Sequence, residues 1–154
     1  MIRRAHQIAV AIFLQETREL KITTTQYGIL VLLAERPGID QVTVAKLLGL
    51  DRSTTGMVTQ KLEAAGLVRR SIGSDDRRRR SLHMTSAGHA ALRALKRPAE
   101  RARTRLLSVF EATERQVFLE LLDKFTRTFN GSTRVPLEGR PPAGVVRDAR
   151  AKRR

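Results

Sequence analysis

Between Asp40 and Gly66 the chain carries two helix starts and two helix stops in so short a span that only a pair of short helices fits. Asp40 is placed to cap a segment whose Val44, Ala45, Leu47 and Leu48 make a short apolar face, and Gly49 suits a left-handed stop after it. Asp51 then caps a helix from Arg52 to about Ala65, halted by Gly66, with Val58, Leu62 and Ala65 at core-facing spacing. Two helices about the tight Gly49-Leu50-Asp51 link form a helix-turn-helix pattern.

What flanks this pair extends the pattern. Upstream, Thr23-Thr24-Thr25-Gln26 offers a capping box and Tyr27 to Ala34 an apolar helix body that ends at Pro37-Gly38. Downstream, Leu67–Ser71 and Ser81–Met84 are short stretches of β character around Gly73-Ser74-Asp75-Asp76 and an arginine run, which reads as a hairpin. Helix-turn-helix followed by a hairpin is the winged order, so the fold class expected is mainly α with a small β element. Thr85 can cap a long helix through Leu92 and Leu95, which Pro98 is expected to kink or interrupt at the Arg97-Pro98 step.

Both ends carry apolar stripes at helical pitch. Ile2, Ala5, Ala9, Ile12 and Phe13 form one; Phe118, Leu121, Leu122, Phe125 and Phe129, closing at Asn130-Gly131, form the other. One small winged module cannot cover both, which points to a helical dimer interface. The expected organisation is a single domain over residues 1–133, winged over about 24–88, with dimerisation helices at about 1–20 and 86–131. Residues 134–154 hold Pro136, Pro141 and Pro142 and seven Lys or Arg against two acids, and read as a basic disordered tail.

Charge narrows the function. Thirty Lys and Arg against fifteen Asp and Glu leave +15 over 154 residues, a field that gathers polyanions. There is no cysteine, so disulfides, thiol switches and thiolate metal sites are excluded. The basic start and short apolar run Ile8 to Leu14 resemble a signal peptide, but Gln15-Glu16-Thr17-Arg18 offers no cleavage site and no run reaches a membrane span; a cytoplasmic protein is the expectation. His6, His83 and His89 lack metal-ligand spacing, no nucleophile or paired-carboxylate motif occurs, and Glu111 with Glu114 reads as negative charge at a helix start. No enzyme and no cofactor is expected.

The helix from Arg52 presents Ser53, Gly56, Met57 and Gln60 away from the core side. In a major groove Gln60 can pair with adenine and Met57 can touch a thymine methyl, with Gly56 letting the backbone come close; the plain alternative is a solvated face. Arg52, Ser53 and Thr54 sit where free N–H groups favour phosphate, although capping alone would also place them there. Arg69 and Arg70 with Arg77, Arg78, Arg79 and Arg80 put six guanidinium groups on one hairpin, for which packing has no evident use and a minor groove has. Asp76 is read as orienting Arg78 through an ion pair.

Thr25-Gln26-Tyr27, the run Val44 to Thr54, Leu62 to Arg70, and Asp76-Arg77-Arg78 leading to Leu82 through Gly88 together resemble the MarR family of transcriptional regulators, over most of residues 5–130. The resemblance implies a homodimer with interleaved terminal helices and two winged lobes on a pseudo-palindromic duplex operator. By position it implies a major-groove reader from Arg52 to Lys61, including Thr55 and Lys61, and a minor-groove wing of Asp76, Arg77, Arg78 and Arg79. Met57 departs from a basic residue common in relatives, which bears on base preference. The family also implies repression relieved by a small anionic, often aromatic, effector between the dimer helices and the lobes. The opening Ile2 to Ala9 is similar to regulators of aromatic-acid breakdown, including hydroxycinnamate regulators that respond to a coenzyme A thioester. On that reading Phe13 and Tyr27 line a pocket with His6 or Arg18 near its mouth; the alternative is that Phe13 and Tyr27 are plain core. The competing function is a sequence-tolerant architectural nucleic-acid-binding protein, and a third is a protein-interaction module.

Overall fold

The computed structural model describes residues 1–72, 80–133 and 135–137. Within them α1 (Ile2–Glu16) and a 3-10 turn (Arg18–Leu20) lead to α2 (Thr24–Glu35), α3 (Gln41–Leu48) and α4 (Arg52–Ala64). The antiparallel strands β1 (Val68–Ile72) and β2 (Arg80–Met84) follow, then α5 (Ser86–Leu107), α6 (Ala112–Thr128) and a 3-10 turn (Asn130–Ser132). This is the winged helix-turn-helix order read from the sequence.

The starts form where local chemistry puts them. The Thr23 hydroxyl accepts from the Gln26 N–H while the Gln26 side chain accepts from the Thr23 N–H, a reciprocal box. Asp40 and Asp51 each accept the N–H three residues on at 2.8 Å. Gly49 takes φ 62°, the left-handed stop between α3 and α4. The Glu111 N–H donates to the Glu114 carboxylate at 2.9 Å, so the two acids close the start of α6.

α2 is the hub. Ile29, Leu30, Leu32 and Leu33 are sealed, and Val44 and Leu47 of α3, Leu62 of α4, Val68, Leu82, Met84 and Leu95 of α5 close around them. The chain beyond Pro37-Gly38 adds a rung to the sheet: the Gly38 N–H donates to the Leu82 carbonyl, the Leu82 N–H donates to the Ile39 carbonyl, and Asp40 bridges Ser81. Asp40 thus ties β2 to the start of α3.

Three sequence expectations need correction. Pro98 lies inside α5, which runs uninterrupted from Ser86 to Leu107; Leu95 and Ala102, buried on either side of it, hold the helix where one backbone bond is lost. The buried stripe of α4 is Thr55, Thr59 and Leu62, with Val58 half-buried and Ala65 exposed. Both threonine hydroxyls donate to the carbonyl four residues back, at 2.8 Å, which lets them be buried without an unpaired donor. The start of the segment read as a tail is packed: Val135 and Leu137 are half-buried, and Asn130 holds Leu137 by two hydrogen bonds. The rest of that segment lies outside the described residues.

At the junction of wing and α5, the Thr85 hydroxyl accepts from the Gly88 N–H at 3.0 Å and donates to the Gly66 carbonyl at 2.6 Å. A Cβ on Gly88 would stand 2.1 Å from the Leu67 carbonyl oxygen, a backbone atom that cannot swing away. In an open helix, Gly→Ala gains about 1 kcal/mol from propensity. Here Gly88→Ala is expected to destabilise the fold by about 3 kcal/mol, at the upper end of overpacking costs, in urea unfolding. Gly131→Ala, with open space around it, is expected to be neutral. A Gly88→Ala protein as stable as the parent would contradict this packing.

Candidate nucleic-acid interface and adjacent pocket

α4 is fixed at its start and on one side, and open on the other. The Asp51 carboxylate takes both the backbone N–H of Thr54 (2.8 Å) and its hydroxyl (2.7 Å), so the half-buried Thr54 side chain is committed to the cap. Arg52, Ser53, Met57, Gln60 and Lys61 are exposed, Met57 at 51%. Ser53, Met57 and Gln60 fall at i, i+4 and i+7, one stripe of the helix.

Two residues read as part of this face do other work. Thr55 is fully buried, its hydroxyl bonded to the Asp51 carbonyl, and offers no side-chain atom to a partner. Gly56 is half-buried and faces α3, where a Cβ would come within 3.1 Å of the Gln41 Nε2. Its small size serves helix–helix approach.

The arginines of the hairpin divide as well. Arg70 Nε lies 3.1 Å from Glu63 Oε2 and its Nη2 lies 3.4 Å from the Thr59 hydroxyl, so Arg70 braces β1 against α4. Packing does have a use for this arginine, contrary to the expectation for the cluster. Arg69 is exposed. Asp76, Arg77, Arg78 and Arg79 lie outside the described residues; the strands pair out to Ile72 with Arg80, and residues 73–79 connect them there.

A cavity of about 910 Å³ opens between α1, α2 and α5. It brings together His6, Phe13 and Tyr27 with Lys96, Arg97 and Glu100 of α5. Phe13 and Tyr27 stack obliquely with centroids 5.4 Å apart. Lys96, Glu100 and Arg103 share a helical stripe, i, i+4 and i+7, and Arg103 pairs with Glu100. That polar stripe beside buried Leu95 and Ala102 was the sequence signal for the cationic wall. Arg18 lines a different recess, of about 470 Å³, where Glu16 binds Arg101 at 2.9 Å and Arg105 at 3.6 Å. It is therefore not at the mouth of the aromatic cavity: the 3-10 turn after α1 carries it away. Among the described residues no helix is long and apolar enough to cross a membrane.

Comparison with known proteins adds independent findings. A model described as MarR family matches residues 22–79. The chain is 34% identical over 124 residues to a Thauera aromatica protein whose name ties it to transcriptional regulation of the hcr operon, covering 77% of this chain and 74% of that one. Among solved structures, Bordetella bronchiseptica BpsR, studied for regulation of its DNA binding by 6-hydroxynicotinic acid, matches at TM-score 0.76 and 30% identity over 81% of this chain and 89% of that one. The transcriptional repressor CouR, bound to a 23-mer DNA duplex, matches at TM-score 0.77 and 29% identity over 82% and 89%.

Burial, and secondarily the negative charge of Glu100, raise the Tyr27 phenol above its ordinary 10.0. An acid raised in the folded state keeps its proton longer when folded, so its titration leaves stability unchanged below pH about 10 and erodes it above. Tyr27 is the chain's one tyrosine and there is no tryptophan, so phenolate absorbance reads it alone. The midpoint is expected above 10, and Glu100→Gln should lower it only part of the way because burial remains. A parent midpoint at or below 10 would contradict the buried placement.

Proposed function

The chain belongs to the MarR family of transcriptional regulators, and from that premise we propose that it is a repressor that binds a pseudo-palindromic duplex operator as a homodimer and is released by a small aromatic acid or its coenzyme A thioester. The observation that carries the reading is α4: capped by Asp51, held from behind by Thr55, Thr59 and Leu62, and open along Ser53, Met57 and Gln60. A helix fixed on one side and polar on the other is what a major groove admits. Gln60 is assigned to a base edge, Met57 to a thymine methyl, Arg52 and Ser53 to phosphate, and Lys61 to the backbone at the far end. Arg78, oriented by Asp76 and flanked by Arg77 and Arg79, is assigned to the minor groove.

The homodimer is supported by apolar surface that one copy leaves uncovered. Phe118, Leu121, Leu122 and Phe125 of α6 and Phe129 at its C-terminal cap are each at least 41% exposed, and Ile2, Ile8 and Leu14 of α1 are exposed too. A contiguous apolar face of this kind marks an interaction surface. The effector reading is supported by an aromatic pair opposite cations: Phe13 and Tyr27 accept a flat ring, and Lys96 or Arg97 a carboxylate or phosphate. α5 links that cavity to the lobe, because its Thr85 cap is bonded to the turn after α4. A ligand held between α1 and α5 thus acts on the element that positions the winged lobe. The DNA-bound CouR structure and the aromatic acid named for BpsR point in the same direction.

Selection from a randomised duplex library at physiological salt tests the reading. An enriched palindrome with half-sites a whole number of helical turns apart is expected, and Gln60→Ala should relax one position per half-site by roughly 1–3 kcal/mol of discrimination. At least one aromatic acid or thioester should then release the selected duplex. Retention without a motif would favour sequence-tolerant coating of nucleic acid and overturn the proposal; a motif with no releasing compound would overturn the effector alone.

A further inference from the structure

α4 is supported beyond both of its ends. Behind it, the Thr85 hydroxyl at the start of α5 donates to the Gly66 carbonyl at 2.6 Å, and the Thr85 N–H donates to the Leu67 carbonyl at 3.0 Å. In front of it, the segment after α6 returns to the turn between α3 and α4. The Asn130 side chain donates through Nδ2 to the Leu137 carbonyl at 3.0 Å and accepts the Leu137 N–H through Oδ1 at 2.9 Å, a two-point clasp. That clasp lays Val135 and Leu137 against Gly49, where a Cβ would stand 3.2 Å from Leu137 Cδ2 and 3.4 Å from the Val135 carbonyl oxygen. Gly49 therefore has to be small for this contact as well as for its positive φ. The same turn ends at Asp51, the cap of α4.

The two supports come from different helices: the trailing turn of α4 is held by α5, the leading turn by the end of α6. α6 buries none of its own residues within this chain. At its start Phe118 stacks on Phe110 with centroids 4.8 Å apart, and at its end the clasp joins it to the leading turn of α4. A second copy seated on the apolar face of α6 is thereby connected to α4 through that clasp. The lever is long enough to matter, since the 13 residues of α4 span about 20 Å at about 1.5 Å each. Held at the trailing turn only, α4 would need to swing by only about 10° to carry its leading end about 3.4 Å, one base-pair step of duplex. Held at both turns, it keeps one angle. We propose that Asn130, Val135 and Leu137 are positioning residues for operator recognition: they fix the leading end of α4 to α6 and so restrict the homodimer to one separation of half-sites. The proposal rests on the homodimer and operator reading above.

A spacer series reads the clasp. The selected operator is rebuilt with single base pairs inserted at or removed from its centre, each of which shifts one half-site by about 3.4 Å and turns it by about 35° against the other. Affinity at fixed salt is measured for the full-length parent, Asn130→Ala, Leu137→Ser and Leu137→Met, with oligomeric mass and thermal midpoint alongside. For the parent, one base pair is expected to cost about tenfold or more, because a rigid dimer that cannot engage both half-sites loses the gain from the second. Asn130→Ala and Leu137→Ser are expected to bind the original operator several-fold more weakly and to lose less than about threefold per base pair, as a looser linkage spreads its reach over several spacings. Their dimer mass should be unchanged, and Leu137→Met, which keeps the apolar contact, should follow the parent. Spacer profiles of Asn130→Ala and Leu137→Ser that match the parent's overturn the proposal even if binding is weaker throughout, which is what a merely stabilising clasp would give. Loss of the dimer in both variants assigns the residues to assembly and overturns it equally. A parent indifferent to spacing overturns the proposal and leaves the operator reading standing, whereas a parent that selects no palindrome overturns both.

Discussion

The burial of the middle of α2 is the constraint from which the rest of the structure follows. Gly28 through Leu33 are all buried, so this stretch of the helix has no face to give to solvent and must be enclosed. α3, α4, α5 and β2 pack around it, each contributing one apolar side. A helix that contributes only one side keeps the other, and for α4 the retained side is Ser53, Met57 and Gln60. The surface assigned to the major groove is in this sense the remainder of the core: it is rigid because what lies behind it is sealed, and open because nothing covers it.

The sequence discloses those features whose cause lies within a few residues. Thr23 with Gln26, Asp40, Asp51 and Thr85 all cap helices, because a short side chain three residues from an N–H leaves few alternatives. Gly49 stops α3 for the same local reason. The winged order and the family were legible because those punctuation marks fall in series. Residues whose role is set by tertiary packing were misread. Thr55 looks like a surface hydroxyl until the core places it inside, where its bond to the Asp51 carbonyl makes burial tolerable. Arg70 belongs to an arginine-rich hairpin by sequence and to α4 by contact. Pro98 reads as a break, yet the packing of Leu95 and Ala102 carries α5 through it. Leu137 sits among prolines and arginines and is placed by Asn130, seven residues earlier.

Electrostatics and packing divide the labour between the two ends of the molecule. Arginine that touches the fold is paired with carboxylates, as Arg70 is with Glu63 and Arg101 and Arg105 are with Glu16. By sequence, much of the excess positive charge falls in residues 69–80 and beyond Leu137. The exposed apolar excess lies on α1 and α6. The cavity lies between α1, α2 and α5, and α5 links it to the turn after α4 through its Thr85 cap. In the proposed mechanism an effector changes DNA affinity by altering how α5 holds the lobe, with no need to touch the residues assigned to DNA.

The central claim is that α4 lies in the major groove of two half-sites at once. Because the chain has no cysteine, Met57→Cys creates a single attachment point on the exposed stripe for an iron chelate that cleaves nearby DNA. The account predicts two compact foci of cleavage on a selected operator, symmetric about its centre and about 34–36 Å, or a multiple of that, apart along the duplex. Cleavage spread evenly along the duplex, or no cleavage by a complex that still binds, would contradict it.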